Sequence, residues 1–248
     1  MPENSRVPGT IDASTGLLCP ATPESELNRK LRQMSSIARH DINNQLTIIS
    51  GYLSLLESGT MKSGDVVPIL QGAAAKIERI LRFTREYQEL GAQPPAWQRV
   101  DDSLCSARTI VDPGTILFRQ DGCTCREIYA DPLLARVFAG LIDNSLRHGG
   151  KVTEIQVRCE ERQSRLVILY EDNGTGIPPA VRSCLFEHAK GKNTGYGLFV
   201  VKEILSMTGL TITETGEPGM GVRFEIVVPE GLFRTAEKKP QFSSSHAL

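Results

Sequence analysis

The sequence predicts an α+β chain in which an antiparallel helical hairpin is followed by an α/β sandwich. From about Glu24 to Glu57, and again from Val66 to Tyr87, apolar residues recur at helical spacing. The segment "GAQPPAW" then ends the helical pattern, because proline interrupts helices. Downstream of it, short β-rich runs alternate with helical patterns, which is typical of layered α+β domains.

The two amphipathic helices are joined by the short segment "SGTMKSGD", so they are expected to fold back on each other as a hairpin. A hairpin alone cannot bury both apolar stripes. We therefore predict a homodimer whose two hairpins form a four-helix bundle. The residues of the stripes are Leu27, Leu31, Met34, Ala38, Ile42, Ile49, Leu53 and Leu56 in the first helix, and Val66, Ile69, Leu70, Ala73, Ile77, Ile80, Leu81 and Tyr87 in the second.

The predicted organisation has four parts. A flexible flank covers residues 1–23, the helical hairpin 24–92, a second domain 93–229 and a flexible polar tail 230–248. In the second domain, helical patterns lie near residues 132–148 and 197–208. Its candidate strands are Ile116–Phe118, Glu127–Tyr129, Val152–Arg158, Leu166–Tyr170, Leu210–Glu214 and Val222–Val228.

Composition excludes several classes of protein. The formal net charge of −1 gives no basic excess of the kind that marks a general nucleic-acid binder or a polybasic membrane patch. No run approaches the roughly 18 apolar residues of a membrane span, and the N-terminus lacks a signal-peptide pattern, so a cytoplasmic chain without a transmembrane segment is expected. Cys123 and Cys125 are one residue apart, unlike the spacing of zinc or redox pairs, and are expected to be structural thiols.

The first element that carries chemistry is "EDNGTGIP", which follows the apolar run "RLVILY". Asp172 at the end of a strand can accept a hydrogen bond from an exocyclic amine such as that of adenine. Gly174 and Gly176 permit positive φ and a close approach of ligand to backbone. Taken alone, the stretch is better explained as an ordinary Asp-Asn-Gly turn between strands.

Two further elements complete the set. In "KGKNTGYGLFVVKEIL", Gly195 and Gly197 precede an apolar helix, whose N-terminal amides are suited to phosphate. In "LLARVFAGLIDNSLRHGG", Asn144 offers an amide oxygen to Mg²⁺, while Arg147 and His148 can reach phosphate oxygens. Individually, these residues also fit a helix cap, a helix surface and a helix C-terminus.

In this order and spacing, the three elements resemble the N, G1 and G2 boxes of the GHKL superfamily, the Bergerat-fold ATPases that include histidine kinases and gyrase-type ATPases. The resemblance extends from about Trp97 to Pro229, and "LFEHAK" is similar to the F box, with Phe186 in the ATP lid. It implies that Asn144 holds Mg²⁺ and that Asp172 reads adenine. The ATP-binding residues it implies, together with the candidate cations, are Asn144, Arg147, His148, Asp172, Gly174, Gly176, Lys190, Lys192, Gly195, Gly197 and Leu198.

Within that superfamily, "ARHDINNQLTII" resembles the H box of the sensor histidine kinases of two-component systems. A neutral imidazole is a nucleophile near neutral pH, so His40 is the expected phosphorylation site. The neighbouring Asp41 can accept the imidazole proton. Asn44 lies one turn further on the same helical face, where its amide can orient a water for dephosphorylating a bound response regulator.

The sequence departs from the family pattern at two points: Gln45 replaces the usual proline of the H box, and Gly140 replaces the first asparagine of the N box. The lid between Ile177 and Gly195 is also short. The resemblance implies an ATP-dependent kinase that phosphorylates His40 and then a response-regulator aspartate. The alternatives are a regulator-binding phosphatase or scaffold with little kinase activity, and a GHKL serine kinase or mechanical ATPase.

Overall fold

In the computed structural model of the chain, the described residues are 23–187 and 196–236. They divide into two compact units between Gln88 and Glu89. The predicted N-terminal flank, apart from its last residue, and the end of the predicted tail lie outside the described residues. Within the described part, no helix is both long enough and apolar enough to cross a membrane.

The N-terminal unit is the predicted helical hairpin, formed by α1 (Pro23–Glu57) and α2 (Ser63–Glu89). Val66, Ala73, Ile80 and Tyr87 are all buried and lie seven residues apart, so they form one stripe along α2. In the single chain, Leu81 of the predicted stripe is 55% exposed, whereas Phe83, which was not assigned to the stripe, is buried. A seven-residue repeat keeps side chains on one face, whereas Leu81 is turned about 100° away from Ile80.

The C-terminal unit contains eight strands and four helices within the described residues. Its helices are α3 (Val100–Ile110), α4 (Leu134–His148), α5 (Pro179–Arg182) and α6 (Tyr196–Ser206). Its strands are β1 (Ala96–Arg99), β2 (Leu117–Asp121), β3 (Arg126–Ala130), β4 (Glu154–Arg162), β5 (Arg165–Asp172), β6 (Thr211–Glu214), β7 (Arg223–Val228) and β8 (Phe233–Thr235).

These strands form two sheets. A five-stranded sheet has the order β2-β4-β5-β7-β6, in which β2 and β4 are parallel and the other pairs are antiparallel. A three-stranded antiparallel sheet has the order β1-β3-β8. The predicted α+β class, with helices first and an α/β unit after them, is confirmed.

The core of the C-terminal unit lies between the five-stranded sheet and its helices. On β4, buried side chains alternate with half-buried ones, as expected for a strand with one covered face. The central strand β5 is buried along most of its length, which explains its continuous apolar run. Helix α4 packs between α3 and α6, and its last turns reach the end of β5.

Four elements were missed in the sequence: β1, α3, α5 and β8. The apolar stripe of α3 is short, since only Val100, Leu104 and Ala107 fill its buried face together with Ser103. The tail after Pro229 was predicted to be flexible, but Phe233–Thr235 is a strand paired with β3. A three-residue strand has too little pattern to be recognised, because its pairing depends on a partner more than 100 residues away in the sequence.

Cys123 is buried and its Sγ lies 2.8 Å from Sγ of Cys159, on β4, rather than pairing with Cys125. The hydrogen bond between the two thiols, together with burial, raises the pKa of Cys159. Cys125 is also buried, and it has positive φ at a turn between β2 and β3. All three thiols therefore belong to the packing of this sheet edge, which agrees with the structural role expected for Cys123 and Cys125.

Candidate functional site

The carboxylate of Asp172 is the centre of the candidate site. It ends β5, and it is only 6% exposed. Its Oδ1 accepts hydrogen bonds from the backbone N–H groups of Gly174, at 2.9 Å, and Val222, at 3.1 Å. Its Oδ2 accepts a hydrogen bond of 2.5 Å from the hydroxyl of Ser145 on α4. The sequence therefore placed Asp172 correctly at a strand end, and the fold holds its carboxylate from three directions.

The glycines after Asp172 allow the turn to pack closely against the end of α4. Thr175 donates its backbone N–H to the carbonyl of Gly149 at 3.0 Å. A Cβ at Gly174 would overlap the carbonyl oxygen of Gly149, so only glycine fits there. Gly176 has φ +71°, and a Cβ there would lie 2.8 Å from the carbonyl of Gly221. The predicted first and third elements are thus brought into direct contact.

Asn144, Arg147 and His148 lie on the last turns of α4. Asn144 is half-buried and immediately precedes Ser145, the residue that holds Asp172. Arg147 donates from Nε to Oδ1 of Asp143 at 2.6 Å, so this ion pair competes with a phosphate for its guanidinium. His148 is exposed and ends the helix before Gly149.

The second glycine pair is only partly described. Gly197 is exposed in the first turn of α6, and the neighbouring Leu198 is buried. The predicted residues Gly195, Lys190 and Lys192 lie outside the described residues.

The beginning of the predicted lid is attached to the sheet. The Phe186 ring packs edge-on against Phe224 of β7, with ring centroids 6.0 Å apart. Arg182 contacts the carbonyl of Gly216, and its Nε lies 2.9 Å from Oε2 of Glu214. The Nε–H does not point directly at that oxygen, so the last contact is one of charge rather than a linear hydrogen bond. The lid therefore starts from a fixed position beside β6 and β7.

The phosphoacceptor candidates lie in the N-terminal unit, on α1. The side chain of His40 is 74% exposed, and its Nδ1 lies 3.2 Å from Oδ1 of Asp41. Nδ2 of Asn44 lies 3.3 Å from the same ring nitrogen. When Nδ1 carries the proton and donates to Asp41, the lone pair of the imidazole is on Nε2. The predicted triplet is therefore a local cluster on one helical face.

Residues 130–232 match the protein family described as histidine kinase-, DNA gyrase B- and HSP90-like ATPases. This range contains Asn144, Asp172 and all the described glycines of the candidate site. The C-terminal unit carries an ATPase domain of this family. The resemblance inferred from the three boxes is confirmed at the level of the domain.

Similar proteins extend the comparison beyond this ATPase domain. The chain is 23% identical to the sensor protein kinase WalK of Staphylococcus saprophyticus over an alignment of 246 positions, and the match covers 89% of this chain and 40% of WalK. It therefore spans less than half the length of this relative. Its fold is similar to that of the histidine kinase AdeS of Acinetobacter baumannii, with a TM-score of 0.55, 20% identity and coverage of 77% of this chain and 98% of AdeS.

A second solved structure also has a similar fold, that of the histidine kinase ThkA in complex with the response regulator protein TrrA. The TM-score is 0.62 with 16% identity, and the match covers 90% of this chain and 73% of that chain. The resemblance to sensor histidine kinases is confirmed by the family match and by the relative WalK, whereas the two solved structures show that the fold is similar.

Several residues of the ATPase domain site were missed in the sequence. Ser145 and Tyr170 lie behind Asp172, and Val222 supplies one of its backbone donors. The available signals were a hydroxyl next to Asn144 and the glycine-rich "GEPGMGVRF" before β7. Neither signal points to Asp172 until the fold brings α4, β5 and β7 together.

Gly140, the departure from the N box, has a packing role in the ATPase domain. A Cβ at this position would lie 2.8 Å from Cγ2 of Val201 on α6. Val201 is buried and β-branched, so it cannot easily move aside. The glycine therefore permits the close packing of α4 against α6, and the asparagine of the family pattern would not fit without rearrangement.

We expect Gly221→Ala to destabilise the ATPase domain strongly. Gly221 has φ +91°, and a Cβ there would overlap the backbone oxygen of Asp172. The left-handed backbone costs about 1–2 kcal/mol for alanine, and the overlap adds about 1–3 kcal/mol or more. The free energy of unfolding, measured by denaturant titration, should fall by about 2–5 kcal/mol, a large part of the roughly 5–15 kcal/mol of a typical domain.

Gly219→Ala is the matched control. Gly219 has a similar φ of +84°, but nothing lies within 4 Å of an added Cβ. The free energy of unfolding of Gly219→Ala should therefore fall only by the cost of the left-handed backbone, about 1–2 kcal/mol. Equal destabilisation by the two variants would contradict the close approach of Gly221 to Asp172.

Proposed function

We propose that the chain is an ATP-dependent protein-histidine kinase that phosphorylates its own His40 and transfers the phosphoryl group to an aspartate of a response regulator. The observation that carries the proposal is the presence, in one chain, of an exposed His-Asp pair on a helical hairpin and an ATPase domain of the histidine kinase-like family. The names of the similar proteins support it.

In this proposal, the ATPase domain binds Mg²⁺-ATP with Asp172 against the exocyclic amine of adenine. The residues fit a magnesium ion that arrives with the nucleotide, since such an ion needs only one or two protein ligands besides phosphate and water. Asn144 is half-buried one residue before the serine that holds Asp172, and its amide oxygen is the proposed ligand. The ion supplies neutralisation of phosphate charge, and Arg147, His148, Lys190 and Lys192 are the proposed cationic groups.

The glycine pairs have the remaining nucleotide-binding roles. Gly174 and Gly176 allow the close turn beside Asp172, and Gly195 and Gly197 are proposed to let the lid fold over the phosphates. Leu198, which follows them, is buried in the first turn of α6. It is proposed to fix the position of that turn beneath the nucleotide.

On the hairpin, His40 is the proposed nucleophile. Asp41, at 3.2 Å from Nδ1, holds the proton on that nitrogen and stabilises the positive charge that develops on the ring as Nε2 attacks the γ-phosphorus. The new bond joins Nε2 to phosphorus, and the bond to the bridging oxygen of ADP breaks. Catalysis then rests on positioning and charge neutralisation.

A second activity is proposed from Asn44. Its amide lies 3.3 Å from the imidazole, so the two side chains occupy the same exposed surface of α1. A water bound by the amide there can attack the phosphoryl group of a docked regulator. A regulator-binding phosphatase or scaffold with little kinase activity is the alternative function that this observation favours.

The exposed surface of the hairpin is also the basis for the proposed partners. We propose a homodimer in which a second hairpin covers exposed apolar side chains of α1 and α2, and a response-regulator receiver domain that docks around His40. A cytoplasmic location is proposed for the kinase, because its nucleotide and partner are intracellular. Among the hairpin side chains that the structure describes, the large exposed apolar ones are Leu46, Ile48, Leu53, Leu55, Val67 and Leu81.

The test is incubation of the purified chain with Mg²⁺-ATP labelled at the γ-phosphate. We expect one labelled phosphoryl group per His40. The label should be lost in acid and retained in alkali, as for a phosphorus-nitrogen bond. Addition of a receiver domain should then remove the label from the chain. A protein that binds ATP but never acquires label would favour the phosphatase, and acid-stable phosphate on serine would contradict the histidine kinase.

A further inference from the structure

A buried chain of hydroxyl groups lies behind the carboxylate of Asp172. The Tyr170 hydroxyl is 3.0 Å from Oγ of Ser145, and Oγ of Ser145 is 2.5 Å from Oδ2 of Asp172. Relative exposures are 0% for Tyr170 and 1% for Ser145. Burying hydroxyl groups costs free energy unless they are hydrogen-bonded, and both of these are.

The chemistry of the three groups determines which one donates in each hydrogen bond. An ionised carboxylate can only accept, so Ser145 uses its single hydrogen to donate to Asp172. Its oxygen must then accept from Tyr170. Burial raises the pKa of Tyr170, so the phenol keeps the proton that it donates. The order is Tyr170 to Ser145 to Asp172.

The same contacts limit what Asp172 can offer a ligand. A carboxylate has about four acceptor positions, two on each oxygen. On Oδ1, the backbone N–H groups of Gly174 and Val222 occupy both positions. On Oδ2, Ser145 occupies one. One acceptor position remains, and it is on Oδ2.

We propose that Ser145, supported by Tyr170, is a specificity-determining residue of the nucleotide site. It leaves Asp172 with one open acceptor position, on Oδ2, and thereby selects 6-aminopurine nucleotides over 6-oxopurine nucleotides. This rests on the proposed function, in which Asp172 reads the base. A 6-amino group presents an N–H to Oδ2. Hypoxanthine presents an oxygen there, which the carboxylate repels. Guanine binds a carboxylate through two parallel N–H groups that need both oxygens, and Oδ1 is already occupied.

Ser145 acts through Asp172 and is therefore a positioning residue. Alanine at position 145 removes the donor to Oδ2, so the carboxylate gains a second open position and keeps only the two backbone contacts to Oδ1. Tyr170→Phe keeps the bond from Ser145 to Asp172 and removes only its support. The effect of the phenylalanine should consequently be smaller.

The experiment is calorimetric titration of the full chain with ATP and with inosine triphosphate, each with Mg²⁺. We expect the wild-type protein to bind ATP more tightly than inosine triphosphate. Ser145→Ala should weaken ATP binding about tenfold with little change for inosine triphosphate, because a hydrogen bond to a charged group has a net value of that order. Tyr170→Phe should lower the ratio of the affinity for ATP to that for inosine triphosphate by roughly threefold.

Ser103→Ala is the matched control. Ser103 is also a buried serine of the C-terminal unit, but its hydroxyl donates to the carbonyl of Arg99 at 2.9 Å rather than to Asp172. It should lower the unfolding midpoint without changing the ratio of the two affinities. That ratio is a readout that a purely structural role of Ser145 would not alter.

The outcomes distinguish a failure of the role proposed for Ser145 from a failure of the proposed function. If the wild-type protein binds ATP and both variants keep its preference, the role of Ser145 is refuted while the nucleotide site stands. If the wild-type protein binds neither nucleotide, the proposed function fails and this inference fails with it. If Ser145→Ala does not fold, the ratio measured with Tyr170→Phe decides.

Discussion

Replacement of His40 by glutamine should abolish the incorporation of label from γ-labelled ATP, with a decrease of at least about a thousandfold, as for loss of a nucleophile. Glutamine keeps a polar, helix-compatible side chain at an exposed position, so the hairpin should remain folded. It has no nitrogen lone pair available for attack. The affinity for ATP should be unchanged, because the proposed nucleotide site lies entirely in the C-terminal unit.

Two further variants make this prediction specific. His246→Gln makes the same chemical change in the predicted tail and should label like the wild type. Asp41→Asn should reduce the labelling rate by about a hundredfold or more without affecting ATP affinity, since the amide cannot stabilise the imidazolium as a carboxylate does. Undiminished labelling of His40→Gln would exclude His40 as the phosphorylation site.

Asp172→Asn should strongly lower the affinity for ATP while leaving the ATPase domain folded. The asparagine oxygen can keep the two backbone N–H donors of Gly174 and Val222. Its NH₂ then faces Ser145, which can reverse its hydrogen bonds and donate to Tyr170. The open position, however, has changed from an acceptor to a donor that opposes the adenine amine.

The loss combines a charge-assisted hydrogen bond with an unmatched buried donor, about 3 kcal/mol or more, which corresponds to roughly a hundredfold or more in affinity. Calorimetric titration with ATP measures it, and thermal unfolding checks the fold. The matched control is Glu171→Gln, the neighbouring residue of β5, whose carboxylate pairs with Arg158 and Arg223 on the other face of the sheet. ATP affinity that falls equally in both variants would contradict the assignment of Asp172.

Most of the candidate site could be predicted because its residues stand in local motifs. Asp172 and its glycines follow an apolar strand, and Asn144 interrupts an apolar helical stripe. Both signals can be read within ten or so residues. The contacts that hold Asp172 could not be predicted, because Val222 is 50 residues away and Ser145 is 27 residues away. Nothing local distinguishes these from other buried residues.

The prediction of cation partners was limited for a related reason. Arg147 was expected to reach phosphate, and in the structure its guanidinium pairs with Asp143 one turn earlier. The i,i+4 spacing of opposite charges is visible in the sequence and competes with any ligand. Lys190, Lys192 and Gly195 stay predictions, since they lie outside the described residues.

The sequence by itself determined the α+β class, the helical hairpin with His40, Asp41 and Asn44 on one face, and the order of the three boxes that resemble those of the GHKL superfamily. These follow from periodicity and short motifs, which depend on neighbours along the chain. Only the tertiary structure decided that Ser145 and Tyr170 stand behind Asp172, that Gly221 must lack a side chain, and that residues 233–235 complete a sheet. These depend on contacts between distant segments, and such contacts are set by the packing of the whole domain.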